Sequence, residues 1–226
     1  MNSLILIPAR KGSQRVANKN LFKVKNKPLI FWTIKYAKKI SKLLNFDVCI
    51  SSDCKNIKKI AVKEKIKFIM RPKKYSDAKA NMESVINHTL ELEDKNFLYE
   101  FIILLQPTSP IRSFDMVSSG IKILRKYKNF NSLIHLKKLE LFTGKRSKNG
   151  RWHPYSPPGT RSQDILNLYE PSGCLFIYRR NIFRKNKKRF FLKSYGMISK
   201  LKNSVNIDNY EDFNTLNYYL KNSRFF

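Results

Sequence analysis

The N-terminal segment constrains the fold of this chain more than any other part of the sequence. A continuous apolar run from Leu4 to Ile7 ends at Pro8 and passes into a loop that contains Gly12 and many cationic and amide side chains. A short, unbroken apolar run is typical of a buried strand in a parallel sheet. Backbone N–H groups at the carboxyl end of such a strand bind anions. The segment therefore predicts an α/β fold whose first strand leads into a phosphate-binding loop.

The side chains of this loop fit a triphosphate. It offers several positive charges, together with short polar groups that suit a sugar or a base edge. The spacing matches neither the Walker pattern nor the three-glycine dinucleotide pattern. Taken alone, the loop is equally well interpreted as a phosphate site or as solvated basic surface. The cations are Arg10, Lys11, Arg15 and Lys19, and the polar residues are Ser13, Asn18 and Asn20.

A second motif strengthens the phosphate interpretation. Residues 101–105 form another continuous apolar run, which is followed by a polar loop between Pro107 and Pro110. This pattern predicts a central parallel strand over 101–105 that ends in a polar loop. The loop places Gln106, Thr108, Ser109 and Arg112 at the same sheet edge as the first loop. The carboxyl ends of parallel strands meet at one edge of an open sheet, and ligands bind there. We therefore expect the two loops to form one site.

The rest of the chain alternates between helical and strand patterns. Apolar spacing predicts helices from Pro28 to about residue 44, after Ser52 or Asp53, across residues 82–90 and across residues 114–124. Strands are expected at 47–51 and 66–70. This alternation predicts a doubly wound, mostly parallel sheet in a single domain over 1–226.

The alternation breaks between about residue 138 and residue 168. This segment is rich in glycine and proline, is basic, and has no apolar core of its own. Long irregular segments inside compact domains are usually functional, although a plain surface loop is the simpler interpretation. We call this segment the arm.

Composition limits the function classes that remain. The net charge is +30, which raises nucleic-acid binding as an alternative. The lysines are nevertheless scattered, without an RNA-binding or helix-turn-helix signature, so we expect no specific nucleic-acid partner. The positive electrostatic field of the protein would attract anionic substrates.

Without an apolar run of about 20 residues or a signal-peptide layout, we expect a cytoplasmic protein without a membrane partner. The three cysteines show no metal-ligand spacing.

Four segments together resemble the CMP-N-acetylneuraminate (acylneuraminate) cytidylyltransferases. They are residues 4–20, Arg71-Pro72, residues 104–112 and residues 205–213, in the family's order and at its separations. Enzymes that activate the eight-carbon sugar Kdo share a similar first loop but generally lack the Leu-Gln-Pro-Thr-Ser-Pro segment. The resemblance implies transfer of CMP from CTP to the anomeric hydroxyl of a nonulosonic acid, with release of pyrophosphate, in cell-surface polysaccharide biosynthesis. Legionaminic, pseudaminic and Kdo-type acids remain alternative substrates. The resemblance also implies a homodimer in which the arm helps complete the partner's sugar pocket.

The resemblance assigns roles on the nucleotide side of the site. Catalysis falls to Arg10 and Lys19, which would neutralise the charge that develops as pyrophosphate leaves. Ser13 would hold phosphate oxygens. Asn20 and Arg71 match positions that contact the cytosine edge.

On the sugar side, the resemblance covers a longer set of positions and contains one departure. Glu170 stands where related sialate enzymes often carry an arginine near the sugar carboxylate, so Arg161 or a nearby lysine would have to supply that contact. A pair of phenylalanines matches an acyl-group pocket, although such a pair is more often part of a core. The residues expected to bind the sugar are Gln106, Arg161, Gln163, Tyr169, Phe190 and Phe191.

The metal site is the second departure. The family commonly has two aspartates separated by one residue before the C-terminal helix, whereas this chain has Asn206 and Asp208. We expect Asp208 to hold Mg²⁺ and to take part in catalysis, with phosphates and water as the other ligands. We expect a lower metal affinity than a two-aspartate site has. A helix cap is the alternative role for Asp208.

Overall fold

A seven-stranded sheet forms the centre of the fold. The computed structural model describes residues 2–13, 15–77, 80–139, 143–161, 164, 168–191, 193–198 and 205–222. In these residues the strands are β1 (Asn2–Pro8), β2 (Lys23–Val24), β3 (Lys27–Pro28), β4 (Asp47–Ser52), β5 (Lys67–Met70), β6 (Tyr99–Leu104), β7 (Ser132–Leu139), β8 (Gly144–Arg146), β9 (Trp152–Pro154), β10 (Leu168–Arg179) and β11 (Ser194–Ile198). The helices are α1 (Leu29–Leu44), α2 (Lys55–Lys63), α3 (Met82–Glu93), α4 (Met116–Lys126), α5 (Arg180–Asn186) and α6 (Asp212–Asn222).

The order of strands in the sheet is β11-β7-β10-β6-β1-β4-β5. Strand β1 pairs in parallel with both β4 and β6, and β5 extends the parallel region beyond β4. Strand β10 runs antiparallel to its neighbours β6 and β7. The predicted doubly wound, mostly parallel sheet is confirmed, and β1 lies in its interior between β6 and β4.

Alternating side chains of β1 pack into separate layers on the two faces of the sheet. Ile5 and Ile7 belong to a core cluster that includes residues of α1 and α4. Leu4 and Leu6 belong to another cluster with residues of α3 and α5. All four side chains are essentially inaccessible to solvent. This burial on both faces explains the unbroken apolar run in the sequence.

The beginning of α2 differs from the sequence expectation. Its cap position is Cys54, and neither Ser52 nor Asp53 caps the helix from outside. The Ser52 hydroxyl accepts a hydrogen bond from the Cys54 N–H at 3.0 Å. The Asp53 carboxylate accepts instead from the Lys11 N–H at 2.7 Å, across 42 residues of sequence. A local capping rule could not anticipate that the carboxylate would bind the phosphate loop.

The segment predicted to be an arm contains a hairpin outside the main sheet. Strands β8 and β9 pair only with each other among the described residues. Trp152 and Tyr155 are largely exposed there. Dimerisation through this segment remains a prediction.

Within the described part of the chain, none of the helices has the length and apolar character that a membrane span needs. Cys49, Cys54 and Cys174 are buried free thiols. Cys49 lies in β4, and desolvation raises the pKa of its thiol. Cys49 is therefore a core residue of this strand.

Arg112 connects the loop after β6 to two other elements. Its guanidinium donates to the carbonyl of Gln106 at 2.7 Å, to the carbonyl of Cys174 at 2.7 Å and to the hydroxyl of Thr33 at 3.0 Å. The residue is 2% exposed. Burial lowers the pKa of the guanidinium, but an arginine remains charged because its intrinsic pKa is so high. The side chain is therefore directed into the protein, although sequence analysis placed it with the polar residues of the site.

We predict that Arg112→Met lowers the free energy of unfolding by about 2–4 kcal/mol, because it leaves buried carbonyl groups without donors. Urea denaturation followed by circular dichroism measures this change. Arg151→Met is the matched control because Arg151 is exposed. The free energy of unfolding of this variant should stay within about 0.5 kcal/mol of that of the parent. Equal stabilities of the two variants would contradict the structural role of Arg112.

Candidate active site

A cleft of about 390 Å³ lies at the carboxyl ends of the central strands. It is lined by residues that follow β1, β5 and β6, together with residues from the start of α3 and from the segment before α6. This is the edge where open α/β sheets bind ligands. The cleft brings together these predicted site residues: Arg10, Ser13, Lys19, Asn20, Arg71, Gln106 and Asp208.

Hydrogen bonds from neighbouring segments hold the loop after β1 in place. Asn20 donates from its side-chain amide to the carbonyl of Arg10 at 3.0 Å, which closes the loop on itself. Arg10 donates to the carbonyl of Asp77 at 3.1 Å. The loop is thus positioned before any anion binds, so a ligand would pay little to order it.

Lys19 is buried at the base of the cleft, in a short 3₁₀ turn over Lys19–Leu21. Its ammonium group donates to the carbonyl of Ile207 at 2.5 Å and lies 3.4 Å from Oδ1 of Asp208. A buried ammonium requires such acceptors because removal from water is costly. These contacts join the first motif of the sequence to the last.

Asp208 faces the cleft and does not cap α6. Its Oδ2 atom lies 3.3 Å from Arg15 and accepts from the side-chain amide of Asn206 at 2.9 Å. Asn209 caps the helix instead: its side-chain oxygen accepts from the Asp212 N–H at 3.0 Å. The Asp212 carboxylate in turn accepts from the N–H groups of Asn209 and Asp208 at 2.9 and 2.6 Å. The cap of α6 is therefore this reciprocal pair and not the Asp208 side chain.

Asn206 does not direct its carbonyl oxygen freely into the cleft. The Oδ1 atom accepts a hydrogen bond from Ser109 at 3.1 Å, while the amide nitrogen donates to Asp208. Asp208 is consequently the carboxylate that this segment offers to a cation in the cleft. Among the described residues, no group of three or more histidine, cysteine or acidic side chains has the arrangement of a metal site.

Arg71 is a buried arginine that follows β5. It donates to the carbonyl and the hydroxyl of Ser51, at 2.6 and 3.2 Å. Desolvation lowers the pKa of its guanidinium to about 10, against the opposing effect of nearby Asp53. It is still charged at neutral pH and lines the cleft. Its role toward a cytosine base remains a prediction.

Gly173 allows β10 to approach the second motif closely. Its φ is +77°, and an added Cβ would lie 2.5 Å from the Ser109 hydroxyl and 3.0 Å from Oε1 of Gln106. The Ser109 hydroxyl also donates to the carbonyl of Ser172 at 3.1 Å. Only glycine suits both the dihedral angle and the space, so this contact positions the wall of the cleft that carries Gln106.

The histidines lie outside this cleft in the described chain. His135 lies in β7, is buried, and shares a hydrogen bond of 2.8 Å between its Nδ1 and the hydroxyl of Ser172. Desolvation lowers its pKa to about 4, so the imidazole is neutral at pH 7. His88 lies in α3, next to the ring of Tyr75.

Most of the residues predicted to bind the sugar are not brought into the cleft. Arg161 forms an ion pair of 2.8 Å with Asp164 and is exposed. Tyr169 is exposed on β10. Glu170 forms an ion pair of 3.2 Å with Lys137, its neighbour across the sheet. These two side chains line a second cleft, which also contacts Asp208.

The phenylalanine pair lies beside the first cleft without lining it. Phe190 is exposed, and Phe191 packs against the core cluster that contains Phe176. Gln163 lies outside the described residues. The expected sugar roles of Phe190, Phe191, Gln163 and Tyr169 therefore stay predictions.

Sequence analysis missed several lining residues. Tyr75, Met82 and Val85 line the cleft near the start of α3, and Arg189 lines it from the segment after α5. Met82 and Val85 were expected on a helix, but an apolar helical spacing predicts core and not cleft. Arg189 lies in a basic stretch where nothing in the local sequence distinguishes it from its neighbours.

The fold and this cleft define a doubly wound α/β protein whose loop after the first strand contributes cations to a cleft at the sheet edge. A family model described as cytidylyltransferase matches residues 4–225, so the chain belongs to the cytidylyltransferase family. The predicted resemblance is thereby confirmed.

Individual relatives agree with this assignment. The chain is 27% identical over 218 residues to the N-acylneuraminate cytidylyltransferase of Streptococcus agalactiae serotype III (strain NEM316), a match that covers 94% of this chain and 52% of the relative. It is 32% identical over 184 residues to the pseudaminic acid cytidylyltransferase of Campylobacter jejuni subsp. jejuni serotype O:23/36 (strain 81-176), covering 78% of each chain. The chain spans about half the length of the N-acylneuraminate relatives it matches.

A solved structure supports the fold. The structure of CMP:2-keto-3-deoxy-manno-octonic acid synthetase complexed with CTP superposes with a TM-score of 0.70 at 14% identity, covering 98% of this chain and 99% of that one. At this identity the likeness concerns the fold alone.

We predict that Gly173→Ala costs more stability than Gly159→Ala. Gly159 has a similar φ of +80° but open space around its Cα, so its substitution costs only the dihedral strain, about 1–2 kcal/mol. Gly173→Ala adds the clash with Ser109 and should lower the free energy of unfolding by at least about 1 kcal/mol more. Urea denaturation of both variants provides the comparison. Equal losses would show that the close contact between β10 and Ser109 carries no energy.

Proposed function

We propose that the protein transfers CMP from CTP to the anomeric hydroxyl of an acidic sugar of the nonulosonic type and releases pyrophosphate. The observation that carries the proposal is the convergence of Arg10, Lys19, Arg71 and Asp208 in one cleft behind a preformed anion-binding loop. Membership of the cytidylyltransferase family supports it. Relatives named for N-acylneuraminate, pseudaminic acid and diacetyllegionaminic acid are consistent with sialic, pseudaminic or legionaminic acid as the substrate.

In the proposed reaction, the anomeric hydroxyl oxygen attacks the α-phosphorus of CTP. A bond forms between that oxygen and phosphorus, the hydroxyl proton is released to water, the bond from the α-phosphorus to the bridging oxygen breaks, and pyrophosphate leaves. Arg10 and Lys19 neutralise the charge that grows on the leaving group, and Ser13 and loop N–H groups bind phosphate oxygens. Asn20 and Arg71 contact the cytosine, and Gln106 contacts the sugar. Asp208 helps orient the attacking hydroxyl.

A magnesium ion fits this site through a single carboxylate. Asp208 is partly exposed to the cleft, and its present partners Arg15 and Lys19 are cations that phosphates can attract away. Mg²⁺ bound to a nucleotide commonly takes one or two protein carboxylates, with phosphates and water as the other ligands. When bound, the ion would reduce the negative charge of the triphosphate. With Asn206 in place of a second acid, we expect a modest metal affinity.

Two further parts of the proposal concern assembly and location. A homodimer is supported by the hairpin of β8 and β9, which projects exposed aromatic rings outside the sheet. A cytoplasmic location is consistent with the use of CTP, an intracellular nucleotide. A role in cell-surface polysaccharide biosynthesis would follow from the class of product.

The direct test is a pyrophosphate-release assay with CTP, ATP, GTP and UTP against N-acetylneuraminic, pseudaminic and legionaminic acids and Kdo. We expect release with CTP and at least one of the nine-carbon acids, abolished by EDTA and restored by excess Mg²⁺. Turnover with Kdo alone would place the substrate among the eight-carbon acids. Salt-sensitive binding of RNA without any turnover would refute the proposal and favour the nucleic-acid alternative.

We predict that Lys19→Ala lowers kcat by about 100-fold or more while CTP binding weakens less, because Lys19 acts mainly on charge that develops in the transition state. Steady-state kinetics and calorimetric titration with CTP separate the two effects. Lys23→Ala removes the same charge from an exposed position nearby and should leave turnover near that of the parent. Thermal melting shows whether the variants are folded. Near-normal turnover in folded Lys19→Ala would contradict the assignment.

A further inference from the structure

Arg189 is a cation of the cleft that sequence analysis did not single out. It follows α5, is half-buried, and lines the cleft together with Gln106, Met82 and Val85. Its backbone N–H donates to the carboxylate of Glu83 at 3.2 Å, which ties this segment to the start of α3. The main chain at Arg189 is therefore anchored, and its side chain extends along the cleft wall.

The other cations of the cleft already have partners within the protein. Arg10 donates to a main-chain carbonyl, Arg15 pairs with Asp208, Lys19 donates to the carbonyl of Ile207, and Arg71 donates to Ser51. The guanidinium of Arg189 makes neither a hydrogen bond nor an ion pair with any of the described residues, and its Nε atom is buried. A buried donor without an acceptor is costly. A ligand that accepts from Arg189 would remove this cost.

Two aromatic rings hold the guanidinium of Arg189 in place. Its central carbon lies 5.0 Å from the ring centroid of Phe176 and 4.8 Å from that of Phe190. The attraction between a cation and a ring needs no oxygen or nitrogen acceptor, so the N–H groups can still donate to a ligand. The fork of parallel N–H groups in a guanidinium matches the two oxygens of a carboxylate. The rings thus position Arg189 and leave its fork able to bind a carboxylate.

The order of strands places this fork on the sugar side of the site. Phe176 lies in β10, which pairs with β6, and β6 leads into Gln106. Arg71 follows β5, on the opposite side of β1. The phosphate loop follows β1, between these two sides. Arg189 is therefore separated from the expected cytosine end of the cleft and lies near the residue expected to contact the sugar.

We propose that Arg189 binds the carboxylate of the acidic sugar and makes the enzyme specific for acids over neutral sugars. The inference rests on the proposed function. It fills the place left by the charge reversal at Glu170, because Glu170 pairs with Lys137 and Arg161 pairs with Asp164 outside the cleft. Phe190 then has a supporting role: its ring holds Arg189.

The test compares Arg189→Gln with Arg184→Gln. Arg184 is a matched control because it also stacks on an aromatic ring, that of Phe97 at 4.4 Å, and does not line the cleft. With the panel acid that has the highest kcat/KM, Arg189→Gln should raise KM for the acid by about 10- to 100-fold and change the Kd for CTP by less than about twofold. Arg189→Lys, which keeps the charge but loses the fork, should fall between Arg189→Gln and the parent.

The methyl ester of the same acid isolates the carboxylate. The kcat/KM of the parent should be lower with the ester than with the acid. The kcat/KM of Arg189→Gln should be about equal for the two substrates. An unchanged KM for the acid in folded Arg189→Gln would overturn the proposal. A rise in the Kd for CTP equal to the rise in KM would also overturn it, because Arg189 would then be a phosphate ligand.

A binding measurement separates failure of this inference from failure of the proposed function. Saturation-transfer NMR with N-acetylneuraminic acid, its methyl ester and Kdo detects binding without turnover. If the parent binds an acid and Arg189→Gln does not, the Arg189 site is supported even when no acid is turned over. If the parent turns over an acid and Arg189→Gln does so equally well, the proposed function stands and the Arg189 site is refuted.

Discussion

The wall of the cleft that carries Gln106 depends on the buried guanidinium of Arg112. The guanidinium is held by two main-chain carbonyls and a threonine hydroxyl rather than by an acid. Through these bonds it joins α1, the loop after β6 and the middle of β10. Because a charged group out of water needs every one of its acceptors, the three segments can move only together. Gln106 and Gly173 owe their relative position to this arrangement.

The same principle applies to the cations that face the cleft. The chain has 46 lysines and arginines but only 16 acids, so most cations cannot pair with a carboxylate. Arg10 and Arg71 are instead oriented by main-chain carbonyls of neighbouring segments, and Lys19 donates to such a carbonyl in addition to its ion pair with Asp208. A carbonyl fixes the direction of a cation without cancelling its charge. The cleft therefore keeps a positive potential in a preorganised form, which is what a triphosphate and an acidic sugar require.

Local pattern predicted the secondary structure well and the direction of polar side chains poorly. The helices and strands at the predicted positions arise from apolar periodicity, which reports burial on one face or both. Asp53, Asp208 and Arg112 show where such reasoning ends. Each lies at the end of an element, where a cap, a site residue and a core residue look alike in sequence. The choice among these roles depends on the atom that a distant segment brings within 3 Å.

The sequence by itself determined the fold class, the family and most of the residues that line the cleft, because these are encoded in contiguous motifs that follow individual strands. Tertiary structure alone decided that Asp208 faces the cleft, that Glu170 pairs with Lys137, and that Arg189 lines the cleft. Their partners are separated by up to about 190 residues along the chain, as Lys19 and Asp208 are. The order of strands in the sheet brings such partners together, and no local pattern of residues records that order.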